Sequence, residues 1–244
     1  MEEIKGTLHP LTLVLEEIYQ IFAKQGFSVA TGPELEDEWH NFDALNVPKD
    51  HPARDMQDTF FIKDRPGFVM RTHTSPVQIR FMQEHQPPFA IIVPGKVFRN
   101  ESTDSTHEMQ FHQLEGLVVG ENITIGHLKE TLLSFLKEFF GEKTELRLRP
   151  SFFPFVEPGF EIDVAIPVGN GELDSNGELS MKWLELGGAG MVHPEVLEAV
   201  GYDSKKVTGF AFGMGVDRLA NVKFGITDVR YAYQGDLRLN QWLS

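Results

Sequence analysis

Residues 89–119 hold the pattern that most restricts how this chain folds. An apolar run at 89–93 continues through 96–100, a polar stretch covers 101–108, and a second, alternating apolar run follows at 109–119. No helix-length segment separates the two extended runs. A parallel pair needs a crossover of about a dozen residues or more, so the segment predicts an antiparallel hairpin with a long polar tip. The rest of the chain repeats the theme. Leu146 and Leu148 alternate with Arg147 and Arg149, strands are expected at 160–166 and 181–186 around a Gly/Asn-rich turn at 169–177, and a strand at 209–214 feeds a helix at 215–223. Two further helices stand out. Leu11, Val14, Leu15, Ile18 and Phe22 recur at helical spacing over 9–25, with Pro10 in the first turn and Gly26 at the stop; Leu128, Leu132, Phe135, Leu136 and Phe139 do so over 124–140, before Gly141. Ser75-Pro76-Val77-Gln78 reads as a helix start. Hairpins outnumber β-α-β crossovers, which predicts an α+β fold with a mainly antiparallel sheet flanked by helices, in one domain spanning 1–244.

Composition narrows the chemistry. The chain has no cysteine, which excludes disulfides, thiolate zinc sites and cysteine nucleophiles and fits a cytoplasmic setting. Apolar runs such as 89–94 fall far short of the roughly 20 residues a membrane helix needs, and residues 1–6 lack the basic-then-apolar order of a signal peptide, so no membrane association is expected. Against 22 basic residues stand 36 acidic ones, for a net charge of −14. Such a chain repels phosphate backbones at long range, so any nucleic acid must be held locally or by a partner. The stretch 41–58 reads as too polar and proline-broken for a core element, and a loop this long in a compact domain is usually functional.

Candidate residues are weakly specific one at a time. His107 and His112 are five apart rather than four, and on a strand they face opposite sides, so the zinc-hydrolase pattern is not met. In the same segment Phe111, Gln113 and Glu115 share one face, while His112, Leu114 and Val118 share the other. That row is either a solvent-facing row or the floor of a site in which Phe stacks a planar group and Gln and Glu hold an ammonium; buried there, Glu115 requires a cationic partner. Two glycine clusters, Gly187-Gly188-Ala189-Gly190 and Gly209 through Gly213 to Gly215, match neither dinucleotide nor P-loop signatures and mark close approach by a ligand or by another backbone. Arg218 near the following helix start suits phosphate, and Phe152-Phe153-Pro154-Phe155 suits either core packing or a site.

In combination these residues closely resemble the catalytic domain of the α subunit of bacterial phenylalanyl-tRNA synthetase, a class II aminoacyl-tRNA synthetase. The likeness runs through Leu8-His9-Pro10, Gly32-Pro33-Glu34, Asn41-Phe42-Asp43-Ala44-Leu45-Asn46, His51-Pro52-Ala53-Arg54-Asp55 and Arg71-Thr72-His73-Thr74-Ser75-Pro76. It continues through Phe111-His112-Gln113-Leu114-Glu115-Gly116, Phe153-Pro154-Phe155 with Glu157-Pro158, Gly190-Met191-Val192-His193-Pro194, and Gly209 to Arg218. About ten ordered motifs cover essentially the whole chain.

The resemblance implies a class II fold, ATP-dependent activation of L-phenylalanine and its transfer to tRNA(Phe). It also implies roles. Arg99 would bind the α-phosphate of ATP, with Glu101 and His107 near the nucleotide, Phe111 stacked on adenine, and Gly213, Gly215 and Arg218 at the terminal phosphate. Ser75, Gln113 and Glu115 would receive the phenylalanine ammonium with His73 and Gln78 nearby; Phe153 and Phe155 would pack its ring, with Ala211 at the pocket end. Glu157 matches the family's Mg²⁺ ligand. The implied partners are an editing β subunit in an α2β2 tetramer and tRNA(Phe). Four features depart from the pattern: no N-terminal helical extension precedes Met1, which is expected to reflect trimming rather than a short natural form; Asp217 stands where Glu is usual; Gly187-Gly188-Ala189 replaces Leu-Gly-Cys; and Tyr231 to Ser244 is unusual in detail. Two other class II readings compete. One is a paralogue that activates another amino acid or loads a different acceptor, for which Phe153 and Phe155 argue against a polar substrate; the other, a non-enzymatic binding module, fits poorly with Arg99, Arg218, Glu157 and Glu115.

Overall fold

The computed structural model describes residues 6–55, 58–167 and 180–242. Helix α1 (Pro10–Lys24) opens where the His9 ring accepts the Leu11 N–H and Pro10 occupies the first turn, and the chain turns away at Gly26 with φ +84°. Two short strands, β1 (Ser28–Val29) and β2 (Leu35–Asp37), and a one-turn helix, α2 (Glu38–Asn41), lead to β3 (Phe68–Met70), which pairs antiparallel with β2. Helix α3 (Ser75–Glu84) precedes the hairpin of β4 (Phe89–Phe98) and β5 (Gln110–Gly120). Next come α4 (Ile125–Phe140), β6 (Glu145–Phe153), β7 (Val156–Pro167) and β8 (Met181–Val192). The chain ends with α5 (Pro194–Ala199), β9 (Thr208–Gly215), α6 (Val216–Phe224) and α7 (Arg238–Trp242).

Seven strands form one sheet in the order β1-β4-β5-β9-β8-β7-β6. Every pair is antiparallel except β1 with β4. The predicted hairpin is present, and its two strands pair from Phe89 with Val119 to Phe98 with Gln110. Strands β7 and β8 are longer than expected, because the run Gly187 to Gly190 continues the strand instead of ending it. The predicted turn at 169–177 lies outside the described residues. No helix among the described residues is long and apolar enough to cross a membrane.

The alternation of β5 divides the two faces of the sheet. Leu114 of β5 and Phe210, Phe212 and Met214 of β9 lie in one core with the apolar stripes of α1 and α4; Phe22 stacks on Phe135 at 4.8 Å and on Phe212 at 5.6 Å. Each fully buried phenylalanine there contributes about 1.5–3 kcal/mol of transfer free energy. On the opposite face Leu117 and Val119 lie in a second core with Val77, Ile79 and Met82 of α3 and Val196 and Leu197 of α5. One expectation fails here. Within 41–58, Phe42, Ala44, Leu45 and Val47 are buried in this second core. Ala44 and Leu45 sit on a single 3-10 turn, Asp43–Leu45, with Phe42 just before it and Val47 just after the closing Asn46 at φ 58°, so neither helical nor strand periodicity reveals them. The second core stops short of Phe111, Gln113 and Glu115. The sheet is left open there.

Candidate functional site

That opening is a cavity of about 970 Å³ over β5, β8 and β9. His73, Ser75, Gln78, Arg99, Glu101, His107, Phe111, Gln113, Glu115, Phe153, Phe155, Ala211, Gly213, Gly215 and Arg218 all line it. The row on β5 is therefore not solvent-facing: Phe111 and Gln113 are half-buried and Glu115 is 4% exposed. Glycines admit the close packing. A Cβ on Gly187 would fall 1.9 Å from the Gly213 carbonyl oxygen, and one on Gly188 would fall 2.9 Å from the Phe153 ring, so the first glycine accommodates backbone and the second an aromatic wall.

At one end of the cavity lies a carboxylate with neutral donors around it. The Thr74 N–H donates to Glu115 Oε1 at 3.1 Å, and Ser75 Oγ–H and Gln78 Nε2–H both donate to Oε2 at 2.6 Å. Helix α3 begins at Ser75, so these donors come from its first turn. Among the described residues no cationic side chain forms an ion pair with Glu115; Arg71 and Arg99 act on it only through space. The expected cationic partner is thus not supplied by the described part of the chain. Burial pushes the Glu115 carboxyl up to about 7 against the pull of its hydrogen bonds. Beside it, Gln113 Oε1 is buried with no hydrogen-bond partner. His73 also has a buried, unpartnered Nδ1, and burial together with the Arg99 charge pushes its imidazole down to about 3, so the ring is neutral.

The aromatic wall is made by Phe153 and Phe155, whose rings lie 5.9 Å apart at 22°, with Ala211 across from them on β9. Phe152, by contrast, is 82% exposed and takes no part. At the other end of the cavity the Arg99 guanidinium lies 5.0 Å over the Phe111 ring and its Nε–H donates to the Thr72 carbonyl at 3.2 Å. Burial pulls the Arg99 pKa down, opposed by the charges of Glu101, Glu115 and Asp58. Arg218 is exposed at the rim, in the first turn of α6, a helix whose start has no side-chain cap. Asp217 is buried and accepts the His112 N–H at 2.6 Å. His107 sits on the exposed loop tip, its Nδ1 3.0 Å from Asp104, while the His112 ring lies beside Tyr233; the two histidines do not converge.

Glu157 is the predicted residue that the fold does not bring to this cavity. Its side chain is 75% exposed and lies 3.3 Å from His193. The register of β7 against β8 shifts between Val156 and Gly159, which leaves Phe155 and Val156 lining the cavity and Glu157 outside it. A Mg²⁺ site needs several oxygen ligands. The one cluster of potential ligands among the described residues is Glu36, Asp37 and His40, and Glu36 is already paired with Arg80 at 2.6 Å. A lone exposed Glu157 does not complete a Mg²⁺ site. Sequence reasoning also gave no role to Arg71, a buried residue outside the cavity lining, which donates to Lys96, Gly32 and Pro33 carbonyls and ties the Gly32-Pro33 turn to β4. Its only signal was an arginine directly before the Thr72-His73 pair.

Comparison with known proteins sets this geometry in a family. Residues 1–242 match the family described as "tRNA synthetases class II core domain (F)". The chain is 52% identical over 238 residues to the phenylalanine–tRNA ligase alpha subunit of Lawsonia intracellularis, covering 96% of this chain and 68% of that protein. It is 54% identical over 239 residues to that of Anoxybacillus flavithermus, covering 97% and 69%, and 55% identical over 233 residues to that of Geotalea uraniireducens, covering 96% and 68%. In fold it is similar to pyrrolysyl-tRNA synthetase from Desulfitobacterium hafniense, with a TM-score of 0.68 at 18% identity over 93% of this chain and 74% of that one.

Proposed function

The chain belongs to the class II tRNA synthetase core family, as the catalytic core of a phenylalanine–tRNA ligase α subunit, and from that premise we propose how its cavity activates the amino acid. Membership implies that ATP is used. In our reading residues 1–244 act as one catalytic domain whose single cavity holds both substrates.

One observation carries the assignment of the two ends. Glu115 is a buried carboxylate held only by neutral donors, with the orphaned Gln113 Oε1 beside it. Such a pair leaves room for one small cation rich in N–H donors, and an amino acid's ammonium meets the need. Because the Ser75 hydroxyl hydrogen is spent on Glu115, its oxygen is free to accept from the same ammonium. Neutral His73, close to Phe155, faces the substrate without adding charge. The phenyl ring then lies against Phe153 and Phe155, where offset and edge contacts favour an aromatic ring, and its para position faces Ala211.

The reaction joins the substrate carboxylate to the α-phosphorus of ATP, and pyrophosphate leaves. Nucleophile and electrophile are both anionic, so positioning and charge neutralisation dominate and no protein nucleophile is required. Arg99 supplies the positive charge at the α-phosphate, and its guanidinium over Phe111 keeps that ring in place to stack on adenine, with Glu101 and His107 at the nucleotide's edge. Gly213 and Gly215 let backbone approach the nucleotide, and Arg218 with the uncapped start of α6 takes the terminal phosphate. Glu157 alone does not fit as the Mg²⁺ ligand, and no step is routed through a metal here. In the second step a terminal hydroxyl of tRNA(Phe) takes the phenylalanyl group as an ester, the mixed-anhydride bond breaks and AMP leaves.

The family name α subunit implies a β partner and tRNA(Phe). We assign the finer assembly, an α2β2 tetramer acting in the cytoplasm, on two grounds. At −14 the chain alone is a poor platform for a polyanion, and an apolar pocket rejects an added hydroxyl by only about 10²-fold, so discrimination against tyrosine calls for editing elsewhere.

Mixed with a β subunit, ATP and labelled phenylalanine, the protein should accumulate phenylalanyl-adenylate without tRNA and discharge it when tRNA(Phe) is added. Accumulation with a polar amino acid but not with phenylalanine would overturn the reading. Ala211→Gly deletes the methyl at the para position and should raise kcat/KM for para-chlorophenylalanine by about 10-fold or more relative to phenylalanine. An unchanged ratio would remove Ala211 from the pocket end.

A further inference from the structure

A short segment after α6 reaches three separate parts of the nucleotide end of the cavity. The Val229 N–H, at the start of the 3-10 turn Val229–Ala232, donates to the Ser105 carbonyl at 3.0 Å, on the loop that carries Glu101 and His107. Four residues on, the Tyr233 hydroxyl donates to Asp217 Oδ1 at 2.5 Å, one residue before Arg218. The same hydroxyl oxygen lies 3.1 Å from His112 Nδ1, and the Tyr233 and His112 rings are nearly parallel, 9° apart with centroids at 6.3 Å. From the rear, His9 Nε2 lies 3.0 Å from the Ala232 carbonyl, which ties the turn to the start of α1.

A tyrosine hydroxyl has one hydrogen. It is given to Asp217, so the hydroxyl accepts from His112 Nδ1–H, which settles the histidine tautomer. Asp217 is 5% exposed and its other oxygen accepts the His112 backbone N–H at 2.6 Å, between Phe111 and Gln113. The Asp217 side chain therefore pins the first turn of α6 to the strand that floors the site. Tyr233 holds that side chain. Burial pushes the Asp217 carboxyl up, and the hydrogen bonds from Tyr233 and from backbone N–H groups oppose the rise; removing the Tyr233 hydroxyl takes away the largest of those opposing contacts from a buried carboxylate.

We propose that Tyr233 is a positioning residue for the nucleotide half of the site: through Asp217 and His112 it sets Arg218 and Phe111 relative to each other. The proposal rests on the reading of Arg99, Phe111 and Arg218 as the ATP-binding groups. A drift of about 1 Å in such groups costs up to about 10²-fold in rate. The amino acid end, built on α3 and Glu115, is held by other bonds.

Tyr233→Phe removes only the hydroxyl and keeps the ring beside His112. With the β subunit present, ATP–pyrophosphate exchange should show the KM for ATP raised by about 5-fold or more and kcat lowered, with the KM for phenylalanine within 2-fold of the parent. Thermal shift by ATP alone should fall in parallel. A merely structural role would move both KM values together or neither. An unchanged KM for ATP, or equal changes in both KM values with a large loss of melting temperature, overturns the proposal while the functional reading stands. A parent protein that shows no phenylalanine-dependent exchange overturns both.

Discussion

Replacing Arg99 with alanine is expected to lower kcat/KM for phenylalanine activation by about 10³-fold while the protein remains folded. The guanidinium is a half-buried cation on the cavity wall over the ring assigned to adenine, and the reaction brings two anions together around it. Its structural work is small by comparison. Among the described residues its side chain makes one hydrogen bond, to the Thr72 carbonyl at 3.2 Å, and one ring contact with Phe111, together worth about 1–2 kcal/mol. Circular dichroism and melting curves should therefore stay close to the parent's while single-turnover adenylate formation disappears. Arg99→Lys keeps a charge but loses the planar fork, and should recover only part of the rate. Near-normal activation in the alanine variant would remove Arg99 from the phosphate site.

Glu115→Gln should raise the KM for phenylalanine by about 10²-fold or more, because it leaves the substrate ammonium without a counter-charge in a buried place. The same group sets a pH dependence. With a carboxyl raised to about 7, the free protein loses the charged form as pH falls below that value, so kcat/KM for phenylalanine should drop about tenfold per unit below pH 7 and level off above it. Stability runs the other way. A carboxyl whose folded value lies above its unfolded value of 4.5 binds more protons when folded, so its cost is absent below about 4.5, grows as pH rises from 4.5 to 7, and is complete above 7. Removing the charge should stabilise the unliganded protein at pH 8 by up to about 3 kcal/mol, with no gain at pH 4. Glu115 is then a group retained for binding at the expense of stability. A pH-independent KM, together with a variant no more stable at pH 8 than at pH 4, would contradict this.

The sheet and the β5 row on the cavity floor were legible because both follow from period-2 alternation. Once 109–119 is read as a strand, Phe111, Gln113 and Glu115 must share a face, and the opposite face must carry Leu114. What alternation could not say was whether that face meets solvent, a second core or a ligand. The answer depended on α3 covering Leu117 and starting only at Ser75, a tertiary fact. The resemblance supplied the roles; for Glu157 it implied a Mg²⁺ ligand by motif alone, and the irregular pairing of β7 with β8 leaves that side chain outside the cavity that Phe155 and Val156 line. Phe42, Leu45 and Val47 were hidden because a 3-10 turn has no long period to detect. Tyr233 was hidden for a different reason, since its partners Asp217 and His112 lie 16 and 121 positions away.

The measurement that tests the account most directly is phenylalanine-dependent ATP–pyrophosphate exchange by this chain, alone and with a β subunit, with tyrosine and phosphoserine as controls. The account predicts exchange driven by phenylalanine, with tyrosine weaker by about 10²-fold and phosphoserine inert. Dependence on the β subunit would place part of the site's organisation in the assembly. A folded, β-bound protein that catalyses no exchange with phenylalanine would contradict the central claim, that this cavity joins the amino acid's carboxylate to ATP.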